Sequence, residues 1–284
     1  MITGPTFEEM LHPHKIDSAI RAKANNARKA APLDPINLFN ITWRDIDNNI
    51  CHIVLPKELT GVDCDIVVLY GREFPSGSHK VGAAYSVLLE KELFGEVDPA
   101  VHTLVWPSTG NYGIGGAWVG GRMGCKSVVV LPEGMSRERF QRIESYGASV
   151  IKTVGSESNV KEIYDKTHEL ARDPNTRILN QFEVMGNYRF HYHVTGNTLV
   201  ELAAELRQRE SVMVRSMRGF RRRGAQVLSP LVIVSSRCGR TRRSCVWNRS
   251  NVRRCSTTVT VFMIFRESVI SMSHGFTTHG TPMP

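Results

Sequence analysis

The feature that most constrains the fold is a repeated alternation of short apolar runs with segments of helical pattern over residues 101–208. Residues 103–106 and 127–131 are apolar runs of strand length. The second reads Ser-Val-Val-Val-Leu, the continuous hydrophobicity of a parallel strand covered on both faces. Further strands are predicted at residues 148–154 and 177–181. This alternation is typical of βαβ units and predicts an α/β fold with a doubly wound sheet.

Helices are predicted between and around these strands. In the segment 136–146, Ser136 can cap the helix N-terminus and Gly147 can end the helix. Helical patterns also cover residues 81–89, 158–171 and 197–209.

The chain divides into three parts by composition. Residues 1–60 are polar and interrupted by proline, with 41–43 as a short strand, and we expect an N-terminal extension packed on the body. Residues 61–209 form the α/β region. Residues 210–284 form a tail of different character, with 13 Arg, no Lys and two acidic residues, hence a charge of +11. Residues 1–209 carry 23 basic and 25 acidic side chains, a charge of −2, so the excess charge lies in the tail.

Three interpretations of the tail are open: a basic arm that binds nucleic acid, a solvated surface, and out-of-frame translation of a gene whose product continued the βαβ pattern. Aromatic residues do not alternate regularly with the arginines, which makes nucleic acid the less favoured partner. Reading each codon from its third base permits a glycine-rich turn across residues 209–214 and again across 224–232. The third interpretation therefore fits best.

Residues 257–265 are an apolar, β-prone run with no obvious partner.

Two short motifs carry the chemistry. Lys80 follows Ser-Gly-Ser-His at the start of an apolar helical run, and residues 108–113 form a Gly/Asn-rich turn between a strand and a helix. A lysine amine can form a Schiff base, and converging N–H groups at a helix N-terminus can hold a carboxylate. Either motif alone is common, but together they indicate pyridoxal phosphate chemistry.

The chain resembles the fold-type II pyridoxal-phosphate-dependent enzymes, in particular the cysteine synthase and cystathionine β-synthase group. The resemblance extends from about residue 55 to 205, and its motifs occur in the same order and spacing. They are Ser-Gly-Ser-His-Lys at 76–80, Ser-Thr-Gly-Asn-Tyr-Gly at 108–113, Pro-Glu-Gly-Met-Ser at 132–136, Glu-Arg at 138–139, Tyr-Gly-Ala at 146–148, Asn-Gln-Phe at 180–182 and Asn187.

The resemblance implies a fold like that of the tryptophan synthase β subunit, with the C-terminal part incomplete. It implies that Lys80 binds pyridoxal 5′-phosphate as a Schiff base and that Asn111 bonds the cofactor's 3′ oxygen. The substrate α-carboxylate would lie on the turn, with Gln181 nearby. The residues of that turn are Ser108, Thr109, Gly110, Asn111 and Tyr112.

The implied function is β-elimination or β-replacement on an amino acid, in the manner of cysteine synthase. The alternative is a threonine synthase-like or dehydratase-like enzyme, and the resemblance also implies a homodimer. One departure is large: the family's glycine-rich phosphate loop should follow residue 209, and the sequence has none there. The enzyme could therefore be inactive as written.

Other classes are disfavoured by the sequence. No segment approaches the roughly 20 apolar residues of a membrane span, and the first 14 residues lack the apolar run of a signal peptide. We therefore expect a cytoplasmic protein with free thiols, and Cys125 as inert core. His191 and His193 would point the same way on a strand, but no metal site is expected because no further ligands cluster with them.

Overall fold

The computed structural model describes residues 4–61, 65–108, 110–156, 159–210, 214–217, 232–236 and 258–264. The predicted tail of 210–284 and the residue Thr109 therefore lie largely or wholly outside the described residues.

A four-stranded parallel sheet forms the centre of the α/β region and confirms the predicted βαβ pattern. Its strand order is β5-β4-β3-β6. The strands are β3 (Thr103–Pro107), β4 (Lys126–Pro132), β5 (Ser149–Thr153) and β6 (Thr176–Ile178), and every neighbouring pair is parallel. The helices that follow these strands are α5 (Asn111–Arg122), α6 (Arg137–Ser145), α7 (Val160–Leu170) and α8 (Met185–Phe190).

The sheet is buried because its strands are apolar on both faces and its helices approach closely. Val129 and Val130, adjacent residues that point to opposite faces of β4, are both fully buried. Glycine permits the approach of α5, since a Cβ atom at Gly116 would lie 2.2 Å from the ring of Trp106. This contact sets the position of the α5 N-terminus relative to the end of β3.

A second sheet has the strand order β1-β2-β9-β8-β7. It contains β1 (His52–Leu55), β2 (Ile66–Tyr70), β7 (Val214–Met217), β8 (Val232–Ser236) and β9 (Thr258–Ile264). The expectation that residues 257–265 lack a partner was wrong, because β9 pairs in parallel with β2 and antiparallel with β8. Local pattern did not reveal this pairing, since the apolar strand β2 is distant in sequence.

The N-terminal part packs on the body through helical segments. It contains α1 (Phe7–Leu11), α2 (Ser18–Ala30), two 3₁₀ helices (Pro13–Lys15 and Pro35–Asn40) and α3 (Lys57–Thr60). The short strand predicted at residues 41–43 was wrong, since Ile41 and Trp43 lie in irregular backbone. Both side chains belong to the main core, and this burial accounts for the apolar pattern.

Helix α4 (Lys80–Leu93) begins at the predicted lysine, and a continuous helical stretch closes the α/β region. That stretch comprises α8, a π-helix (His191–Gly196) and α9 (Asn197–Glu210). The strand predicted at residues 177–181 ends at Ile178, and the strand around His191 and His193 was wrong because both lie on the π-helix. His191 is consequently buried, whereas His193 is exposed and stacks on Phe7.

Within the described residues, no helix has both the length and the apolar character needed to cross a membrane.

Candidate active site

The loop before Lys80 is fixed by its own hydroxyl groups and by α6. The Lys80 amide N–H donates to Ser78 Oγ at 3.3 Å, and Ser76 Oγ donates to the Ser78 carbonyl oxygen at 3.3 Å. Gly77 has a φ of +70°, the left-handed conformation that favours glycine. Nη2 of Arg142 donates to the Ser76 carbonyl oxygen at 2.8 Å. These contacts orient the first turn of α4 and hence its first residue, Lys80.

The Lys80 amine is a nucleophile made available by burial. Removal from water lowers the pKa of Lys80 from its ordinary value of 10.5 to about 8. At neutral pH the neutral amine is therefore far more abundant than in an exposed lysine. A neutral amine is the form that attacks a carbonyl carbon.

Helix α5 lies directly against this lysine. A Cβ atom at Gly115 would lie 3.0 Å from the carbonyl carbon and oxygen of Lys80, so glycine allows an approach that a side chain would crowd. Asn111 is four residues earlier on α5 and therefore shares a helix face with Gly115. The packing places the α5 N-terminus, with Asn111 as its first residue, beside the start of α4.

The turn that leads into α5 is organised by Ser108. The Gly110 N–H donates to Ser108 Oγ at 3.1 Å, and the Gly113 N–H donates to the Gly110 carbonyl oxygen at 3.0 Å. Ser108 is buried, while Gly110 and Asn111 are half-buried. Thr109 falls outside the described residues. The turn therefore leads into the N-terminus of a 12-residue helix, where free N–H groups and the positive end of the helix dipole lie. A helix N-terminus of this kind is suited to binding an anion.

Tyr112 serves the turn as an anchor. Its side chain is buried, and its hydroxyl donates to the Leu179 carbonyl oxygen at 3.1 Å. Burial raises the pKa of the Tyr112 hydroxyl, which therefore remains protonated. Its ring also lies edge-on to Trp106, with centroids 5.6 Å apart. The side chain is committed to packing, so a role in substrate binding is open only to the Tyr112 N–H.

Gln181 lies at the same edge of the sheet as the turn. Strands β3 and β6 are parallel neighbours, so the segments that follow them leave the sheet on one side. Gln181 is half-buried, and its carbonyl oxygen accepts from Nδ2 of Asn187 at 3.3 Å. The Tyr112–Leu179 hydrogen bond joins the two segments. The structure thus brings the Ser108–Tyr112 turn and the Gln181 segment to one edge.

Sequence reasoning missed a buried aromatic and histidine cluster at the lysine. The His79 ring lies 5.0 Å from that of His191 and stacks at 5.8 Å on Trp43. Nδ1 of His191 lies 3.1 Å from Thr195 Oγ1. Burial lowers the pKa of both imidazoles, and the Lys80 charge lowers both further, so both are neutral. The available signal was a histidine followed four residues later by threonine in an apolar helical segment.

The sequence profile of one family matches residues 56–217, more than half of the chain, and that family is described as pyridoxal-phosphate dependent enzyme. The chain belongs to this family.

Individual relatives agree with the family match. A probable cysteine synthase of Bacillus subtilis is 35% identical over 133 residues, 46% of this chain and 42% of the relative. Cystathionine beta-synthase of Saccharomyces cerevisiae is 33% identical over 151 residues, 51% of this chain and 29% of the relative. A solved structure of a hydrogen sulfide-producing enzyme from Fusobacterium nucleatum is 28% identical with a TM-score of 0.47, covering 50% of this chain and 46% of that one. The chain spans less than half the length of these relatives.

The residues of this pyridoxal-phosphate dependent enzyme fit the aldehyde end of its cofactor. The Lys80 amine, with its pKa lowered to about 8, can bond a carbonyl carbon, and Asn111 lies one helical turn before Gly115, the residue that packs on the Lys80 backbone. Nε2 of His191 is buried and has no hydrogen-bond partner among the described residues, which suits a site that takes a polar molecule. The region after residue 209, where the resemblance would place a phosphate loop, lies largely outside the described residues.

The thiol of Cys125 in this family member is inert. Burial and Glu92 raise the pKa of Cys125 to about 12, so its thiol remains protonated, as expected for a core cysteine. Among the residues that the structure describes, no three His, Cys, Asp or Glu side chains are grouped so as to hold a metal ion.

Proposed function

We propose that this enzyme catalyses β-elimination or β-replacement on an amino acid that carries a leaving group on Cβ, in the manner of a cysteine synthase. The observation that carries the proposal is the junction of α4 and α5, where Gly115, one helical turn after Asn111, packs on the backbone of Lys80, whose amine has a pKa lowered to about 8. A lysine of low pKa on a helix that packs against an anion-binding helix N-terminus suits a cofactor-dependent reaction at an amino acid α-carbon.

Lys80 has two roles in this proposal. Its amine holds the cofactor in the resting enzyme, and after release it takes the proton from the substrate α-carbon. A pKa of about 8 suits the second role, since a general base works best when its pKa lies near the working pH. Pyridoxal phosphate supplies, when bound, an electron sink for the charge that develops at that carbon.

The turn at residues 108–112 binds and orients the substrate. Its N–H groups and the α5 dipole hold the α-carboxylate, and Asn111 bonds the cofactor's 3′ oxygen. Gln181 approaches from the neighbouring segment at the same sheet edge. Because these groups are positioned by packed helices, the α-carbon is held in place before reaction.

The relatives support β-replacement over the threonine synthase-like or dehydratase-like alternative, because they carry the names cysteine synthase and cystathionine beta-synthase. We also propose a cytoplasmic homodimer that takes a free amino acid as substrate, and not nucleic acid.

The test of the proposal is attachment of the cofactor. The full chain is incubated with pyridoxal phosphate, reduced with borohydride and digested, and the modified lysine is found by mass spectrometry. We expect the adduct on Lys80 and its loss in Lys80→Ala, while Lys91→Ala, at the other end of α4, retains it. The reaction is then measured with amino acids that carry or lack a leaving group on Cβ. Release of sulfide from cysteine reports elimination, and formation of cysteine from added sulfide reports replacement. An adduct that persists in Lys80→Ala would refute the site.

A further inference from the structure

A chain of buried polar contacts connects the N-terminal segment to the lysine site. Nε1 of Trp43 donates to Thr195 Oγ1 at 2.9 Å, and the same oxygen lies 3.1 Å from Nδ1 of His191. All three side chains are buried, with exposed fractions of 1% for Trp43, 0% for Thr195 and 4% for His191. Buried hydrogen bonds of this kind are strong and specific, because water cannot replace either partner.

The chemistry of these groups fixes the His191 ring. The indole nitrogen of Trp43 can only donate, so it occupies one acceptor position of the Thr195 hydroxyl. The hydroxyl can then donate to, or accept from, Nδ1 of His191. Either tautomer holds the ring plane in the same orientation.

Contacts between aromatic rings connect Trp43 and His191 to His79, the residue next to the lysine. The His191 ring lies 5.0 Å from that of His79, the residue immediately before Lys80, and Trp43 stacks on His79 with an interplanar angle of 20°. Trp43 therefore contacts His79 directly and reaches His191 through Thr195. Three aromatic rings, one of them from the N-terminal segment, form a wall at the base of Lys80.

We propose that Trp43, Thr195 and His191 are positioning residues that hold this wall closed and so keep water from the Lys80 amine, which makes the N-terminal segment part of the lysine site. This inference rests on the assignment of Lys80 as the lysine that holds the cofactor.

The charges around the amine agree with this role. Among the described residues, the titratable groups whose pKa is lowered by the Lys80 charge are His79 on the preceding loop and His191 on the π-helix. Both are neutral. Helix α5, which packs on the Lys80 backbone, carries no charged side chain before Arg122. Burial is the cause of the low pKa of Lys80, so admission of water would raise that pKa toward its ordinary value.

The test measures the amine itself in the full chain without cofactor. Acetic anhydride labels neutral amines, and mass spectrometry gives the labelling of Lys80 against pH. Two variants break the hydrogen-bonded relay from Trp43 through Thr195 to His191: Trp43→Phe removes the N–H together with part of the ring, and Thr195→Val removes the hydroxyl at nearly the same volume. We expect each to move the midpoint of the Lys80 labelling profile to higher pH by up to about one unit, so that labelling at pH 7, relative to its plateau at high pH, falls roughly three- to tenfold.

The double variant and a matched control decide between a relay and a general loss of packing. Because both substitutions break one chain, Trp43→Phe/Thr195→Val should label Lys80 no less than the stronger single variant. Thr167→Val removes an equally buried hydroxyl on α7, which donates to the Ile163 carbonyl oxygen at 2.6 Å, and should leave the Lys80 profile unchanged.

Unchanged labelling in both relay variants would overturn the inference, and so would an equal change in Thr167→Val or additive effects in the double variant. If a relay variant fails to fold, the other still decides, by its profile against that of Thr167→Val. The label reads Lys80 without cofactor or substrate, so this result is separate from the outcome for the proposed reaction.

Discussion

Nη2 of Arg142, on α6, donates a hydrogen bond of 2.8 Å to the carbonyl oxygen of Ser76, four residues before Lys80. The same guanidinium donates from Nε to the Tyr146 hydroxyl at 3.2 Å. A helix on the parallel sheet therefore holds the loop that presents the lysine.

Replacement of Arg142 by Met should loosen this loop. The Ser76 carbonyl would lose a charged donor, and we expect a loss of about 1–3 kcal/mol in the free energy of unfolding. Borohydride fixation of pyridoxal phosphate at Lys80 should slow as well. Urea denaturation and mass spectrometry measure the two effects. Arg137→Met is the control, because Arg137 lies on the same helix and is exposed. An effect of equal size in both variants would contradict the role of Arg142.

Tyr112→Phe should weaken the link between the turn and the Gln181 segment. The variant loses the hydrogen bond to the Leu179 carbonyl oxygen, so we expect the free energy of unfolding to fall by about 1–2 kcal/mol. We also expect an amino acid ligand, bound through its carboxylate, to stabilise the variant less against thermal unfolding. Tyr85→Phe is a matched control, since its hydroxyl donates to the Pro5 carbonyl oxygen at 3.0 Å, away from the turn. Thermal unfolding with and without an amino acid ligand compares them. Similar loss of the ligand-dependent shift in both would exclude a specific effect at the turn.

Lys80→Met should stabilise the protein at pH 7. The pKa of Lys80 is about 8 in the folded state and 10.5 in the unfolded chain, so the unfolded state binds more protons between these values. Burial of the amine therefore costs stability below pH 8, by roughly 3 kcal/mol at most, and the cost disappears as pH rises through 10.5.

The check for this prediction is urea denaturation of both proteins at pH 7 and pH 10. The advantage of Lys80→Met should be largest at pH 7 and should shrink at pH 10. A gain that is independent of pH would show that packing, and not the buried charge, is responsible.

Residues from about 210 onward are proposed to come from a shifted reading frame and not to form the family's native continuation. The motive is the change of charge from −2 before residue 210 to +11 after it, with no Lys in the second part. The gene should show a single- or double-base slip near the Arg209 codon, and restoring the frame should tighten binding of pyridoxal phosphate by orders of magnitude. An uninterrupted frame together with tight cofactor binding by the present chain would refute the proposal.

The parts of the fold that follow from local pattern could be predicted from sequence. Continuous apolar character identified β4 as a buried parallel strand, and the small residues around Lys80 and Asn111 marked the two helix starts. Pairing between distant segments could not be predicted, because a β-prone run does not reveal its partner, and β9 was left without one.

Residues that act through packing were harder to find at the site. His191 was considered only together with His193, as a candidate metal ligand that the sequence disfavoured, because a strand was assumed where the chain forms a π-helix. Trp43 gave no signal, since its contact with Thr195 joins residues 152 positions apart. A periodic pattern indicates which face is buried, but it does not indicate which distant side chain covers that face.

The pairing of β2 with β9 has a consequence for the order of folding. Strands β3 and β4 can pair once residue 132 has been synthesised, whereas Ile66 meets Thr260 only after residue 260 has been made. Contacts between distant segments form slowly, because a long loop must first close. The parallel sheet and the lysine site can therefore assemble during synthesis, before β2 pairs with β9.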